Sequence, residues 1–139
     1  MITPHWEHFE HRADMGVRGF GNSLAESFEQ AALAMSAIIT EPSSIQPRQT
    51  IKVQCRETDP NLLLVDWLNA IIYQMATRRM LFGRFQVSID GDRLSGRLQG
   101  EIIDPARHQP AVEIKGATYT ELRVQQQAQQ WLAQCVVDV

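Results

Sequence analysis

The 139-residue sequence predicts an α+β fold with a largely antiparallel β-sheet and two α-helices, in a single domain over residues 1–139. Two observations predict it. Apolar residues spaced three or four positions apart mark two helices, whereas apolar and polar residues alternate in most other segments. The helices do not alternate regularly with the strands, which favours α+β over a wound parallel sheet. A content of 44% hydrophobic and 21% charged residues is that of a globular protein.

Local signals place the two helices. Ser23 can cap the first helix, Glu26 stands at the capping-box spacing, and Pro42 follows the helix end. Asp59 can cap the second helix, with Pro60 at its first position. The predicted elements, in order, are strands over 3–10 and 15–20, a helix over 24–39, a strand over 50–57 and a helix from 60 to about 75.

The rest of the chain is predicted to be strand. Alternating apolar residues mark a strand over 85–89, and Asp90-Gly91 predicts a tight turn into a strand that starts at Arg93. The segment 112–116 alternates in the same way. The strand that starts at Arg93 is predicted to continue over 101–104. The remaining predicted segments are a loop over 105–110, a strand over 118–124 that extends the one before it, a polar turn over 125–130 and a final apolar strand over 131–139.

Composition excludes several classes of function. A net charge of −3 and a pI near 5.8 argue against a large nucleic-acid footprint, so we expect no stable direct binding of nucleic acid. Asp66 and Asn69 interrupt the longest apolar runs, so no membrane association is expected. The N-terminus lacks an apolar secretory segment, which predicts a cytoplasmic protein. Cys55 and Cys135 are interpreted as buried thiols.

Enzyme signatures are absent, because the sequence contains no G-x-S-x-G, P-loop or G-x-G-x-x-G motif. A zinc site is an alternative hypothesis. His5 and His11 would share one side of a strand, with His108 as a third ligand, but such spacing lacks the density of known zinc motifs. Surface or capping histidines are the favoured interpretation.

Two carboxylates lie at positions that need an explanation. Asp14 stands in a turn between strands, and Asp138 is next to the terminal carboxylate of Val139. Adjacent anions repel one another, and Ca²⁺ or Mg²⁺, the Lys115 ammonium or exposure to water would each relieve that repulsion. Physical reasoning alone favours exposure to water, since most chain termini are solvated.

The run from Glu7 to Gly16 resembles the opening motif of the archease family, where His-Thr-Ala-Asp-Ile-Gly is usual. The resemblance continues through the whole chain in one register. Its further segments are Leu24–Ala32, Leu63–Asn69, Leu81-Phe82 with Phe85, Gly100-Glu101, His108, Glu113–Tyr119 and Val136–Val139.

This resemblance implies an accessory protein rather than an enzyme. Archeases assist the RtcB-type RNA ligase of tRNA splicing and RNA repair by promoting its guanylylation and its multiple turnover. The family's divalent-cation site maps onto Asp14, Asp138 and the terminal carboxylate of Val139, with Ca²⁺ as the expected ion and Mg²⁺ as the alternative. A general chaperone or interaction module without a functional metal site is the competing hypothesis.

The sequence departs from the family pattern at three positions. Arg12 replaces the usual Thr, Gly116 replaces the usual Ala, and Thr120 stands where His is frequent. Arg12 matters most, because a guanidinium two residues from Asp14 could pair with that carboxylate and weaken metal binding. Lys115 and His108 are predicted to face a partner, to support the site or to have a structural role.

Overall fold

Eight strands and three helices make up the computed structural model, which describes all 139 residues. The order along the chain is as follows: β1 (His5–His11), β2 (Asp14–Gly21), α1 (Leu24–Ile39), β3 (Gln49–Arg56), α2 (Pro60–Arg78), β4 (Met80–Asp90), β5 (Arg93–Ile102), α3 (Pro105–His108), β6 (Gly116–Ala117), β7 (Arg123–Gln127) and β8 (Gln130–Asp138). A single 3₁₀ turn, Pro42–Ser44, follows α1. The α+β class is confirmed.

The strands form two sheets rather than the single sheet that was predicted. The first has the order β1-β2-β8-β6, with β7 also paired to β8, and the second has the order β3-β5-β4. Every pairing is antiparallel, as expected. Helices α1 and α2 account for the two separate sheets. Each of these helices packs against strands of both sheets.

The two helices begin where their caps predicted. The Ser23 hydroxyl accepts the backbone N–H of Glu26 at 3.1 Å, and the Asp59 carboxylate accepts that of Asn61 at 2.9 Å. Helix α1 has the predicted bounds, whereas α2 continues three residues past Met75 and ends at Arg78, where the capping residue Arg79 takes a left-handed conformation.

One hydrophobic cluster of 26 residues lies between the sheets and the helices. Trp67 of α2 is fully buried at its centre, where the indole Nε1–H donates to the Phe28 carbonyl of α1 at 3.0 Å. This bond fixes one helix against the other, since a buried N–H must find an acceptor. No helix has both the length and the apolar character that crossing a membrane requires.

Four predictions for the C-terminal third are wrong. The predicted strand over 118–124 is a turn as far as Leu122, and strand β7 begins only at Arg123. Residues 112–115 lie outside any strand, and only Gly116–Ala117 pair with β8. The predicted loop over 105–110 contains the single turn of α3. The glutamine-rich segment is strand β7 and not a turn, because a two-residue loop at Ala128-Gln129 lets these glutamines pair with β8. Its amino-acid composition did not indicate a strand, because β7 is formed by hydrogen bonds to β8 and not by local sequence preference.

Candidate metal centre

The antiparallel pairing of β2 with β8 brings the turn after β1 to the last residues of the chain. Met15 lies opposite Val137, so the next position outward places Asp14 beside the end of β8. The contact is direct, because the Asp14 Oδ1 accepts the backbone N–H of Val139 at 3.3 Å. Residues 125 positions apart in the sequence are therefore neighbours.

Asp138 is the last residue of β8 and lies opposite Gly116 of β6. The carbonyl oxygen of Asp138 accepts the backbone N–H of Lys115 at 2.8 Å. Asp138 as a whole is exposed. The backbone of Asp138 is thus fixed by β6, whereas its carboxylate remains in contact with solvent. Asp14 is half-buried.

Segments beside β8 hold the chain end in place. The Val136 carbonyl accepts both the backbone N–H and the hydroxyl of Thr118, at 3.0 and 2.8 Å. The Asn69 Oδ1 on α2 accepts the backbone N–H of Ala117 at 2.9 Å. Thr118 and Asn69 are positioning residues that the sequence analysis did not single out. A helix surface asparagine gives no signal by itself, because its partner comes from a distant segment.

Neither Asp14 nor Asp138 belongs to any ion pair of the molecule. Arg12, which is exposed in the β1–β2 turn with a φ of 55°, forms no ion pair with Asp14. Lys115 is also exposed, and only its backbone N–H contacts Asp138. The two carboxylates at this edge therefore have no cationic side chain as a partner.

The donor chemistry fits a hard divalent cation. Carboxylate oxygens are the ligands that Ca²⁺ and Mg²⁺ prefer. No three His, Cys, Asp or Glu side chains converge anywhere in the structure, so side chains alone do not complete a metal site. The β2–β8 pairing brings Asp14 and Asp138 to the same edge of the sheet, so a metal site there would need a further oxygen donor.

The zinc alternative is wrong, because the histidines do not converge. His5 stacks on Phe20, with ring centroids 4.6 Å apart. His8 lies 2.7 Å from the Ala34 carbonyl of α1. His108 is buried elsewhere, against Glu101.

His108 belongs to a buried ionic network that also escaped sequence analysis. The Glu101 Oε2 accepts from Arg107 at 2.6 Å, from His108 Nε2 at 2.9 Å and from the Gln46 backbone N–H at 2.7 Å. His108 Nδ1 accepts the Asp104 N–H, which assigns the ring proton to Nε2. Hydrogen bonding to Arg107 is the largest cause that lowers the pKa of Glu101 to about 2. The His108 role is therefore structural.

The model of the Archease protein family matches residues 6–139. Protein archease of Pyrococcus furiosus is 36% identical over 139 residues, covering 96% of this chain and 98% of that protein. Protein archease of Thermococcus gammatolerans is 34% identical with the same coverage.

Two solved structures are similar to this fold. The solution structure of protein 1598 of Methanobacterium thermoautotrophicum has a TM-score of 0.85 and 30% identity, covering 96% of this chain and 98% of that one. The crystal structure of a Thermotoga maritima protein, described as an archease and possible chaperone, has a TM-score of 0.60 and 19% identity, covering 100% and 98%. The second likeness concerns the fold alone.

Proposed function

Because this chain belongs to the archease family, we propose that it is a non-enzymatic activator of an RtcB-type RNA ligase in tRNA splicing or RNA repair. In this proposal the chain promotes guanylylation of the ligase and allows each ligase molecule to turn over repeatedly. The proposed location is the cytoplasm, where free thiols such as Cys55 and Cys135 stay reduced.

One observation carries the proposal. The β2–β8 pairing sets the Asp14 carboxylate against the Val139 backbone, at an edge where two acids have no cationic partner. Placing like charges together without compensation is unfavourable, and a bound cation reverses that cost. Asp14, Asp138 and the terminal carboxylate of Val139 would hold the ion. Ca²⁺ suits an open set of oxygen ligands better than Mg²⁺, which demands a near-ideal octahedron.

The proposed role of the chain is positioning rather than bond chemistry. A divalent ion, when bound, supplies a concentrated positive charge at this edge. The residues of the chain fix where that charge sits: Thr118 and Asn69 hold β6 and its following loop beside β8, and Asp14 holds Val139. Docking this edge against the ligase would favour the geometry in which the ligase accepts its nucleotide, through orientation and electrostatics.

A chaperone or interaction module without a metal is the second candidate. An apolar groove of about 310 Å³ favours it, lined by residues from α2, β4 and the segment before β6. Its lining includes Ile72, Met75 and Ile114, together with Val112, which is 37% exposed. Such a surface suits an apolar segment of another protein.

Multiple-turnover RNA ligation with the ligase of the same organism tests the proposal. At limiting ligase, the wild-type chain should raise the number of products per ligase well above one. Asp14→Asn and Asp138→Asn should fold normally and lose this stimulation. Asp90→Asn, which makes the same chemical change at an exposed position on the other sheet, is the matched control.

The same variants separate the two candidates. A metal-dependent activator loses stimulation in both site variants. A general chaperone keeps its suppression of partner aggregation in both variants, because the apolar groove is intact. Full ligase stimulation by Asp14→Asn and Asp138→Asn would exclude the proposed site.

A further inference from the structure

The outer face of the β3-β5-β4 sheet carries an unusual concentration of positive charge. The chain as a whole has 13 basic and 16 acidic residues. Five of those basic residues project from this one face, and all five are exposed. We call this surface the basic face; its cationic residues are Lys52, Arg56, Arg84, Arg93 and Arg97.

The register aligns these cations in rows across the strands. Lys52 of β3 lies directly opposite Arg97 of β5, and Arg56 lies opposite Arg93. Like charges directly opposite one another destabilise a sheet. Two such pairs on the same face, separated by the Gln54–Ser95 pair, represent a cost to folding that an anionic ligand would offset.

Most of this charge is unpaired within the molecule. Arg56 contacts Asp92, with 3.5 Å between nitrogen and oxygen, and the other four cations form no ion pair. The strands themselves contribute one exposed acid to the face, Asp90 at the end of β4, which lies directly opposite Arg93 without an ion pair between them. The basic face is therefore positive, although the protein is negative overall.

Small polar residues lie between the two rows of cations. Ser95 of β5 is flanked by Gln54 on one side and Ser88 on the other. Together with Lys52 and Arg97 they line a depression of about 360 Å³. Amide and hydroxyl groups at its floor supply uncharged hydrogen-bonding groups between the cations.

We propose that the basic face binds the backbone of single-stranded RNA without sequence preference. Arg, Lys, Ser and Gln side chains are the groups that contact phosphate oxygens and sugars. The hydroxyl and amide groups in the depression suit the ribose 2′-hydroxyl, which both donates and accepts hydrogen bonds. Three strands about 4.8 Å apart form a face about 10 Å wide, which suits one strand better than a duplex.

RNA fits this face better than an acidic protein does. The outward side chains of the basic face include no aromatic or aliphatic residue, whereas the buried centre of a protein interface is apolar. The lack of aromatics also removes base stacking, so that binding depends on the backbone alone. The face belongs to the other sheet and uses no residue of the metal centre, so the proposal goes beyond the ligase-activating function.

Fluorescence anisotropy with a 5′-labelled 20-mer of uridine tests the proposal. Binding should be detectable in 50 mM salt and weaken steeply with added salt. With five phosphate contacts, the slope of log K against log[salt] should be about −3.5, from about −0.7 per contact on single strands. The double variant Lys52→Ala/Arg97→Ala should bind at least about tenfold more weakly, with a slope near −2.

The control removes two positive charges elsewhere. Arg78→Ala/Arg123→Ala changes two exposed residues, on α2 and β7, and gives the same net charge as the test variant. It should bind RNA as the wild type does. Asp14→Asn should also bind RNA normally, which separates failure of this proposal from failure of the metal site.

Four outcomes would overturn the proposal. These are no binding of the uridine 20-mer in 50 mM salt, equal weakening by the control variant, tighter binding of a thymidine 20-mer or a duplex, and binding of a polyglutamate peptide in place of RNA. The last would identify the basic face as a docking site for an acidic protein. Thermal unfolding of each variant checks that the fold is retained.

Discussion

The Asp14 carboxylate accepts the backbone N–H of Val139 at 3.3 Å, closing a loop of 125 residues. The donor is an uncharged backbone N–H, so this hydrogen bond does not neutralise the carboxylate. The negative charge of Asp14 has no cationic partner. An amide at this position could accept the same hydrogen bond without the charge. Asp14→Asn therefore separates the structural role of the residue from its electrostatic role.

Calcium should stabilise the wild-type chain and not the Asp14→Asn variant. At a calcium concentration 100 times the dissociation constant, the free energy of unfolding should rise by about 2.7 kcal/mol. Asp14→Asn should show no such rise, yet match the wild type in chelator, since the Val139 contact survives. Thermal unfolding with and without calcium measures both. Equal stabilisation of the variant and the wild type would contradict the site.

A C-terminal extension should have the same effect as Asp14→Asn. Adding Gly-Ser after Val139 keeps the backbone N–H that Asp14 accepts but moves the terminal carboxylate away from this edge. We expect loss of both calcium stabilisation and ligase stimulation, with the fold intact. The same two residues added before Met1, which is fully exposed, are the control. An extended chain that still responds to calcium would remove Val139 from the ligand set.

Local patterns predicted the helices because their signals are local. The Ser23 and Glu26 side chains bond to backbone within four residues, so a short window of sequence contains the whole signal. Even here the detail differed, since Glu26 accepts the N–H of Asn22 rather than that of Ser23. The bounds of α1 followed from capping and periodicity alone.

Elements formed by distant partners could not be predicted in this way. β6 exists because Asp138 lies opposite Gly116, and β7 exists because its glutamines pair with β8. Neither sequence has a strong strand preference. The Glu101–His108 pair also depends on the loop after β5 folding back, which no single segment encodes.

The metal centre and the basic face show different limits. The resemblance to a family assigned Asp14 and Asp138 to one site, although residue spacing alone favoured two solvated acids. The basic face was hidden by the net charge of the chain. Alternation of Lys52 and Arg56 on β3, and of Arg93 and Arg97 on β5, was visible, but only the strand register placed the four on one face.

Gly19 of β2 should not tolerate a larger residue, because α1 packs directly on its backbone. A Cβ at this position would collide with the Ser27 carbonyl oxygen and the Ala31 nitrogen of α1, and backbone atoms cannot swing aside. Gly19→Ala should lower the free energy of unfolding by about 3 kcal/mol, as overpacking does. Urea unfolding followed by tryptophan fluorescence measures it.

Gly116 supplies the matched control for that substitution. A Cβ there would meet only the Asn69 Oδ1 at 3.7 Å, an ordinary contact. Gly116→Ala should change the free energy of unfolding by about 0.5 kcal/mol or less, because the added methyl group collides with nothing. Equal effects of the two variants would show that α1 does not depend on close contact with β2.

Glu101 should stabilise the fold at neutral pH and lose that effect in acid. Hydrogen bonds from Arg107, His108 and the Gln46 backbone hold the pKa of Glu101 at about 2, below its ordinary 4.5. Because the folded state has the lower pKa, the stabilisation is complete above pH 4.5 and is lost as the pH falls from 4.5 to 2. Glu101→Gln removes the charge while keeping the shape of the side chain.

At pH 7, Glu101→Gln should be less stable than the wild type by about 1.5 kcal/mol, the usual value of a hydrogen bond to a charged group, because Arg107 is 42% exposed and solvent screens its ion pair with Glu101. The difference should shrink below pH 4.5 and vanish near pH 2, since the wild-type carboxyl is then protonated. Urea unfolding at a series of pH values measures it, with Glu113→Gln in the exposed segment before β6 as the control. A gap between Glu101→Gln and wild type that stays constant from pH 7 to pH 2 would show that the network acts through shape and not through charge.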